Sequence, residues 1–296
     1  MTPRSDYTLL VHGGAGPSPG RDYSEVERHL AALIIKGEEL LKQGLSALDV
    51  VEAMVADMER SGLYVAGRGS APNARGVVEM DASIMDGSTR RAGGVAAVRD
   101  LANPIHAARA VMDRTPHVLL VGEGADIFCR EAGLELTTGR KDWYRLPVGV
   151  EEEETRQNEL AHGTVGAVAL DRDGRLAAAT STGGLFGKRA GRVGDTPLIG
   201  SGTWADDQVA ISCTGIGEYF MQCNAAHDLA ARMKYGGASL EEASEAVLDQ
   251  VAAQKGDGGL IAINSTGQFV MPYNSKGMKR AWVNAGSSPQ VAVFSD

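Results

Sequence analysis

Aromatic residues make up only 5% of this 296-residue sequence, and its three cysteines, Cys129, Cys213 and Cys223, have no CxxC or His-paired spacing. That pattern excludes a disulfide framework and carries no zinc signature, so the thiols are expected to be buried and free. Long hydrophobic runs are missing as well: every apolar stretch is interrupted within about ten residues, well short of the roughly 20 that span a bilayer. Met1 to Tyr7 is polar and unlike a secretory signal, so the sequence reads as a soluble, cytoplasmic protein without a membrane partner. Nor is there an excess of positive charge. Lys plus Arg total 29 against 38 Asp plus Glu, a formal net charge of -9, which argues against nucleic acid as a partner. The sequence contains no GxxxxGK[ST], no HExxH and no GxGxxG that follows a strand and opens a helix. The glycine clusters Gly67 to Gly69 and Gly215 to Gly217 look like anion nests, and nucleotide binding stays an alternative without a motif behind it.

What is present points to a layered α/β molecule. Hydrophobic residues are 43% of the chain and glycines number 38, enough for a large core built from backbone that turns tightly and packs closely. Tyr7 to Val11 reads as a buried strand running into the loop His12 to Gly16. Ser24 with Glu27 is a capping-box pair ahead of a helix with Val26, Leu30, Leu33, Ile34, Leu40 and Leu41 on one face. Ser46 with Asp49 opens a second helix that buries Val50, Val51, Met54, Val55 and Met58. Val77 to Met85 and Gly94 to Val98 read as strands around a turn at Asp86 and Gly87, and Asn103 with Pro104 opens a helix through Met112. Val118 to Val121 is a further strand. From about 134 to 163 the apolar period disappears and an acidic run, Glu151 to Glu154, intervenes, which reads as a linker or mobile surface loop. Thr164 to Leu170 and Leu176 to Thr182 then form a hairpin about a DxDG turn. Val209 to Thr214 leads into one helix from Glu218 to about Tyr235, Ser239 with Glu242 caps another, and strands near Leu260 to Ile263, Phe269 to Pro272 and Val291 to Phe294 finish the chain. Two groups of strands with paired helices imply two sheets packed between helical layers.

Few residues outside this scaffold advertise chemistry. Glu79 and Asp81 share a strand face and are candidates for a carboxylate pair or a metal ligand set, whereas His12, His106, His117 and His227 read as structural. Thr164 is the sharper feature, because it follows the linker and opens a buried strand. Cutting the Gly163–Thr164 bond would give a residue whose hydroxyl and α-amine sit together. With a reference pKa near 7.7 to 8.0, that amine can take the hydroxyl proton without a histidine.

The residues HGTVGAVALD at His162 to Asp171, LAAATSTGG at Leu176 to Gly184, GRVGDTP at Gly191 to Pro197 and SCTGIGE at Ser212 to Glu218 resemble the isoaspartyl peptidase and plant-type asparaginase family. VHGGAG at Val11 to Gly16, MDASIMDG at Met80 to Gly87, NPIHAAR at Asn103 to Arg109 and GGLIAI at Gly258 to Ile263 extend the resemblance over nearly the whole chain. It implies an α+β fold, the four-layer αββα sandwich of the N-terminal nucleophile hydrolases. It also implies one structural domain, cut between Gly163 and Thr164 into subunits 1–163 and 164–296, with a dimer of processed units. By resemblance Thr164 is the nucleophile, Thr182 its hydrogen-bonding neighbour, and Thr214 with the amide of Gly215 the oxyanion corner. Arg192 would hold the α-carboxylate of a small-molecule or dipeptide substrate, and Asp195, with Gly217 and Gly215, its α-ammonium group. No cofactor is required for the chemistry. A structural sodium ion is implied on backbone carbonyls around Met58, Glu59, Arg60, Ser61 and Leu63.

The sequence departs from the family at Val65, where a polar residue is usual, so the oxyanion site is expected to be one donor short and β-aspartyl dipeptides to be favoured over asparagine. Arg68, where a small or apolar residue is common, is expected to reshape the pocket rim. Two alternatives stay open: an unprocessed or weakly active relative that binds aspartyl ligands, and a glycosylasparaginase-like amidase.

Overall fold

The computed structural model describes residues 7–138, 140, 142–151, 153 and 163–295. In chain order the elements are β1 (Thr8–Ala15), α1 (Ser24–Lys42), α2 (Ala47–Ser61), β2 (Met80–Asp86), β3 (Ala92–Val98), α3 (Pro104–Arg114), β4 (Leu119–Val121) and α4 (Gly122–Glu131). There follow β5 (Val165–Leu170), β6 (Leu176–Thr182), β7 (Thr203–Ala205), β8 (Val209–Gly215), α5 (Gly217–Cys223), α6 (Ala225–Gly236), α7 (Leu240–Ala253), β9 (Gly258–Asn264), β10 (Phe269–Val270), β11 (Met278–Asn284) and β12 (Gln290–Ala292). The strands form an eight-stranded sheet, β12-β11-β1-β5-β6-β2-β3-β4, and a four-stranded one, β10-β9-β8-β7. Helices α1 to α3 cover the outer face of the large sheet, α6 and α7 that of the small one, and the two sheets pack on each other. This is the αββα sandwich that the resemblance implies.

Alternation along the strands decides which layer each side chain joins. On β5, Val165, Ala167 and Ala169 pack with Val51, Met54 and Val55 of α2, while Val168 and Leu170 face Ile211 and Ile261 of the small sheet. The seam between the sheets is not purely apolar. His12 Nε2 lies 2.9 Å from Ser212 Oγ, which lies 2.7 Å from Thr180 Oγ1, and Thr203 Oγ1 donates to Thr180 Oγ1 at 2.6 Å. Burial drives the His12 pKa down to about 3, so the ring stays neutral and can accept from Ser212.

Several expectations need correction. Tyr23 precedes α1 with no side-chain cap, and Ser24 instead donates its amide to Asp22 Oδ1 at 2.8 Å. An Asx turn has replaced the expected box. The boxes at Ser46 and Ser239 do accept from the amides of Asp49 and Glu242, both at 3.2 Å. The single helix expected from Glu218 to Tyr235 breaks at Asn224, whose φ of 49° is a left-handed conformation that asparagine tolerates. The stretch after 134 is not loose where it is described: Ala102 donates to Glu135 O at 3.0 Å, Thr137 to Asp100 O at 2.7 Å and Val148 to Leu63 O at 3.2 Å. Residues 152 and 154–162 and residues 1–6 lie outside the described residues, and with them much of the acidic run, His162 and the polar N-terminal stretch. Cys129 and Cys213 are buried and free as expected, whereas Cys223 is only half-buried and accepts a hydrogen bond from Gln254 Nε2.

Candidate active site

Thr164 is placed by the sheet. β5 runs between β1 and β6 in antiparallel register, so the residue just before it emerges at the edge of the sandwich beside the loop that ends β1. Thr164 is 5% exposed and Thr182, the last residue of β6, is 4% exposed. Gly163, Thr164, Thr182, Arg192, Asp195, Gly215 and Gly217 line one narrow cleft. Thr182 Oγ1 donates to the Gly163 carbonyl oxygen at 2.8 Å and accepts from the Gly184 amide at 2.9 Å. Its hydroxyl is therefore aimed at the peptide bond between Gly163 and Thr164. Thr214, at the end of β8, accepts the Ala15 amide on its hydroxyl oxygen at 3.1 Å, which leaves the hydroxyl proton free to donate. Gly215 follows directly.

The loop from Gly191 to Asp195 is tied down from several sides. Glu79 Oε2 accepts from the Gly191 amide at 3.0 Å and from Asn73 Nδ2 at 2.9 Å, and Glu79 Oε1 pairs with Arg99 at 3.1 Å. Arg192 Nε and Nη2 donate to the two carboxylate oxygens of Glu218 at 2.8 and 2.6 Å. A Cβ on Gly217 would come within 2.7 Å of Asp195 Oδ1, so only glycine lets the start of α5 approach that carboxylate. Asp195 Oδ2 is buried without a hydrogen-bond partner. Burial, helped by the charges of Glu218 and Asp81 and opposed by that of Arg192, raises the Asp195 pKa to about 7. An unpaired buried carboxylate is costly, and a ligand ammonium would supply the missing partner.

Glu79 and Asp81 do not act as a pair. Asp81 Oδ1 accepts from the Ala97 amide at 2.8 Å, and among the described residues no group of His, Cys, Asp or Glu could hold a metal ion. The structure also brings in two residues to which sequence reasoning gave no role. Lys188 Nζ donates to the Gly183 carbonyl at 2.8 Å, and burial, partly opposed by Asp81, lowers its pKa. Glu218 closes the SCTGIGE motif, in which the resemblance implies roles for Thr214, Gly215 and Gly217 but none for the glutamate. Val65 stands where expected: its Cγ2 would lie 2.9 Å from a Cβ at Gly163, and its carbonyl accepts from the Gly183 amide at 2.8 Å. It offers no side-chain donor. Arg68 does not line the cleft; its Nε donates to the Trp143 carbonyl at 2.9 Å, so it anchors the 140s loop instead of shaping the rim. The Gly67–Gly69 cluster likewise forms a 3-10 turn outside the cleft, and of the two glycine clusters only Gly215 to Gly217 contributes to it.

Comparison with known proteins places this geometry in a family. The family model described as Asparaginase (Asparaginase_2), a family of N-terminal nucleophile hydrolases, matches residues 5–293. The isoaspartyl peptidase of Escherichia coli (strain K12) is 43% identical over 97% of this chain and 95% of its own length. The isoaspartyl peptidase/L-asparaginase of Rattus norvegicus is 42% identical over 96% of this chain and 90% of its own. The probable isoaspartyl peptidase/L-asparaginase 2 of Arabidopsis thaliana is 37% identical over 97% and 99%. Among the described residues no helix is long and apolar enough to cross a membrane. With a matching fold, a threonine cleft and relatives of this identity over nearly full length, the chain belongs to the Asparaginase_2 family of hydrolases.

Proposed function

We propose that this protein cleaves itself between Gly163 and Thr164 and then hydrolyses β-aspartyl dipeptides, with L-asparagine a poorer substrate. The observation that carries the reading is the hydrogen bond from Thr182 Oγ1 to the Gly163 carbonyl. In self-processing Thr164 Oγ1 attacks the Gly163 carbonyl carbon, and the charge that grows on its oxygen is met by a donor already in place. The C–N bond breaks, the Thr164 nitrogen takes the proton that the hydroxyl gave up and becomes the free α-amine, and water hydrolyses the resulting ester, which releases the Gly163 carboxylate and restores the Thr164 hydroxyl. In turnover that amine takes the hydroxyl proton while Oγ1 attacks the β-carbonyl of the substrate. The amide of Gly215, which lines the cleft, and the hydroxyl of Thr214, buried just behind it, are the donors assigned to the developing oxyanion. The leaving amine departs with the proton, and water then releases aspartate from the acyl-enzyme.

Arg192 is the group for the α-carboxylate, and Asp195 with Gly217 for the α-ammonium, so the ligand is read as a zwitterion. The names of the relatives support the substrate class. Buried free thiols at Cys129 and Cys213 are in keeping with a cytoplasmic enzyme. We also propose that a sodium ion, structural in role, sits in the turn after α2. A Cβ on Gly69 would fall 2.0 Å from the Tyr64 carbonyl oxygen and 3.0 Å from that of Gly62, and one on Gly67 would fall 2.5 Å from that of Glu59. The close approach that these glycines allow gathers hard, neutral carbonyl oxygens at this turn, the donor type suited to such a cation. Intact-mass spectrometry tests the reading: wild type should give chains 1–163 and 164–296, and the processed protein should release aspartate from β-aspartyl dipeptides. Cleavage elsewhere, or a single chain that persists for days, overturns it.

A further inference from the structure

Arg192 and Asp195 lie three residues apart, line the same cleft and carry opposite charges, yet no ion pair closes between them among the described residues. Asp195 Oδ2 stays unpartnered although it is buried, which is the situation in which a nearby guanidinium normally swings over. Something holds Arg192 away. Glu218, on the first turn of α5 and outside the cleft lining, takes the Nε and Nη2 edge of Arg192 in a two-point fork at 2.8 and 2.6 Å. The fork leaves Nη1 and the second Nη2 proton unused, so Arg192 keeps donors for a ligand carboxylate while its orientation is fixed. The Arg192 side chain is 15% exposed and that of Glu218 39%, so the acid stands on the solvent side of its partner.

We propose that Glu218 is a positioning residue that keeps Arg192 from collapsing onto Asp195, and so keeps both halves of the zwitterion site open. The inference rests on the reading of Arg192 and Asp195 given under the proposed function. Glu218 touches no reacting atom. Its removal should let Arg192 pair with Asp195, which fills the carboxylate and ammonium positions with each other and weakens ligand binding more than it slows chemistry. A merely structural role for Glu218 would instead lower the yield of folded, processed protein or reduce kcat and KM effects without this split.

The test uses the processed enzyme carrying Glu218→Ala or Glu218→Gln, with the extent of self-processing on a denaturing gel as the check on folding. For Glu218→Ala, KM for a β-aspartyl dipeptide and Kd for L-aspartate should each rise about 10-fold or more while kcat stays within about 3-fold. Glu218→Gln, which keeps one acceptor for the guanidinium, should fall between wild type and Ala. A crystal structure of the Ala variant should bring Arg192 within salt-bridge distance, about 4 Å, of Asp195. Unchanged KM and Kd, or an Arg192 that keeps its place and stays apart from Asp195, overturns the proposal. Should wild type turn over no β-aspartyl dipeptide, the proposed function fails, and the Arg192–Asp195 distance in the variant still decides the role of Glu218.

Discussion

Gly163→Ala is the most direct perturbation of self-processing, because the structure says what the added methyl meets. A Cβ at 163 would lie 2.9 Å from Val65 Cγ2 and 3.1 Å from Val65 Cβ, and Val65 is a buried, β-branched side chain with little freedom to yield. The strand end must move instead, and it takes the Gly163 carbonyl away from Thr182 Oγ1, now 2.8 Å distant. Full loss of one oxyanion donor slows a reaction about 100- to 1000-fold. A shift of a few tenths of an ångström forfeits part of that, so processing should slow by about 10-fold or more. Val65→Ala removes the 2.9 Å contact and leaves the 3.1 Å one, so it should restore most of the rate to Gly163→Ala. In a Thr182→Ala background, where the donor is already gone, Gly163→Ala should add little. The assay is the loss of full-length chain on a denaturing gel after rapid purification. If Gly163→Ala processes as fast as wild type, or costs as much without the Thr182 hydroxyl as with it, the argument from the carbonyl fails.

Thr164→Ala should give one full-length chain, since the attacking hydroxyl is gone; two chains on the gel would remove Thr164 from its role. For Asp195, burial raises the folded pKa from 3.8 to about 7, so the folded state holds a proton that the unfolded state has released, and stability falls as pH rises from about 4 to 7. Asp195→Asn removes that penalty, on the order of 4 kcal/mol at full shift. Its melting temperature should therefore exceed that of wild type at pH 8, with the gap closing toward pH 4; a gap independent of pH would refute the assignment. On the processed enzyme, kcat/KM for β-aspartyl dipeptides should exceed that for asparagine by about 10-fold, and Val65→Asn should narrow this by raising asparagine turnover. Equal rates on both substrates, unmoved by the substitution, would show that the missing donor does not matter.

The parts legible in the sequence were those with a local cause. The strand at β5, the hairpin to β6, the caps at Ser46 and Ser239 and the buried face of α2 all follow from period and capping residues that act within a few positions. The site residues came from motifs, and the structure gathers Thr164, Thr182, Arg192, Asp195, Gly215 and Gly217 from four separate segments into one cleft. What stayed hidden depends on distant partners. β11, with half-exposed Lys279 and Arg280 in its middle, has no clean alternation and is a strand because β1 and β12 flank it. The 140s loop has no apolar period, yet it is pinned by backbone bonds to Arg68 and Leu63 and by the Arg68 side chain. The positions of Glu218 and Lys188 in the site could not be read from sequence, because a charged residue is informative only once its partner is known.

The order of strands in the large sheet is one that would let the chain keep its site after the proposed cut between Gly163 and Thr164. Residues before Gly163 supply β1, β2, β3 and β4, and residues after it supply β5, β6, β11 and β12. They interleave: β1 lies between β11 and β5, and β2 pairs with β6. Three strand seams, β11 to β1, β1 to β5 and β6 to β2, therefore join the two halves, the last through six paired positions from Asp81 with Thr182 to Asp86 with Ala177. The Thr182 end of that seam is the end at which Thr182 meets the Gly163 carbonyl, so the ladder that holds the halves together also fixes the donor assigned to the proposed cut. The Ala15 amide on the Thr214 hydroxyl and the His12 to Ser212 contact tie the first half to the small sheet, which belongs wholly to the second. Breaking one peptide bond at the mouth of β5 frees a terminus and severs none of these contacts. The new amine would emerge in a cleft whose walls come from both halves, and so the nucleophile can be released without loosening the groups that must face it.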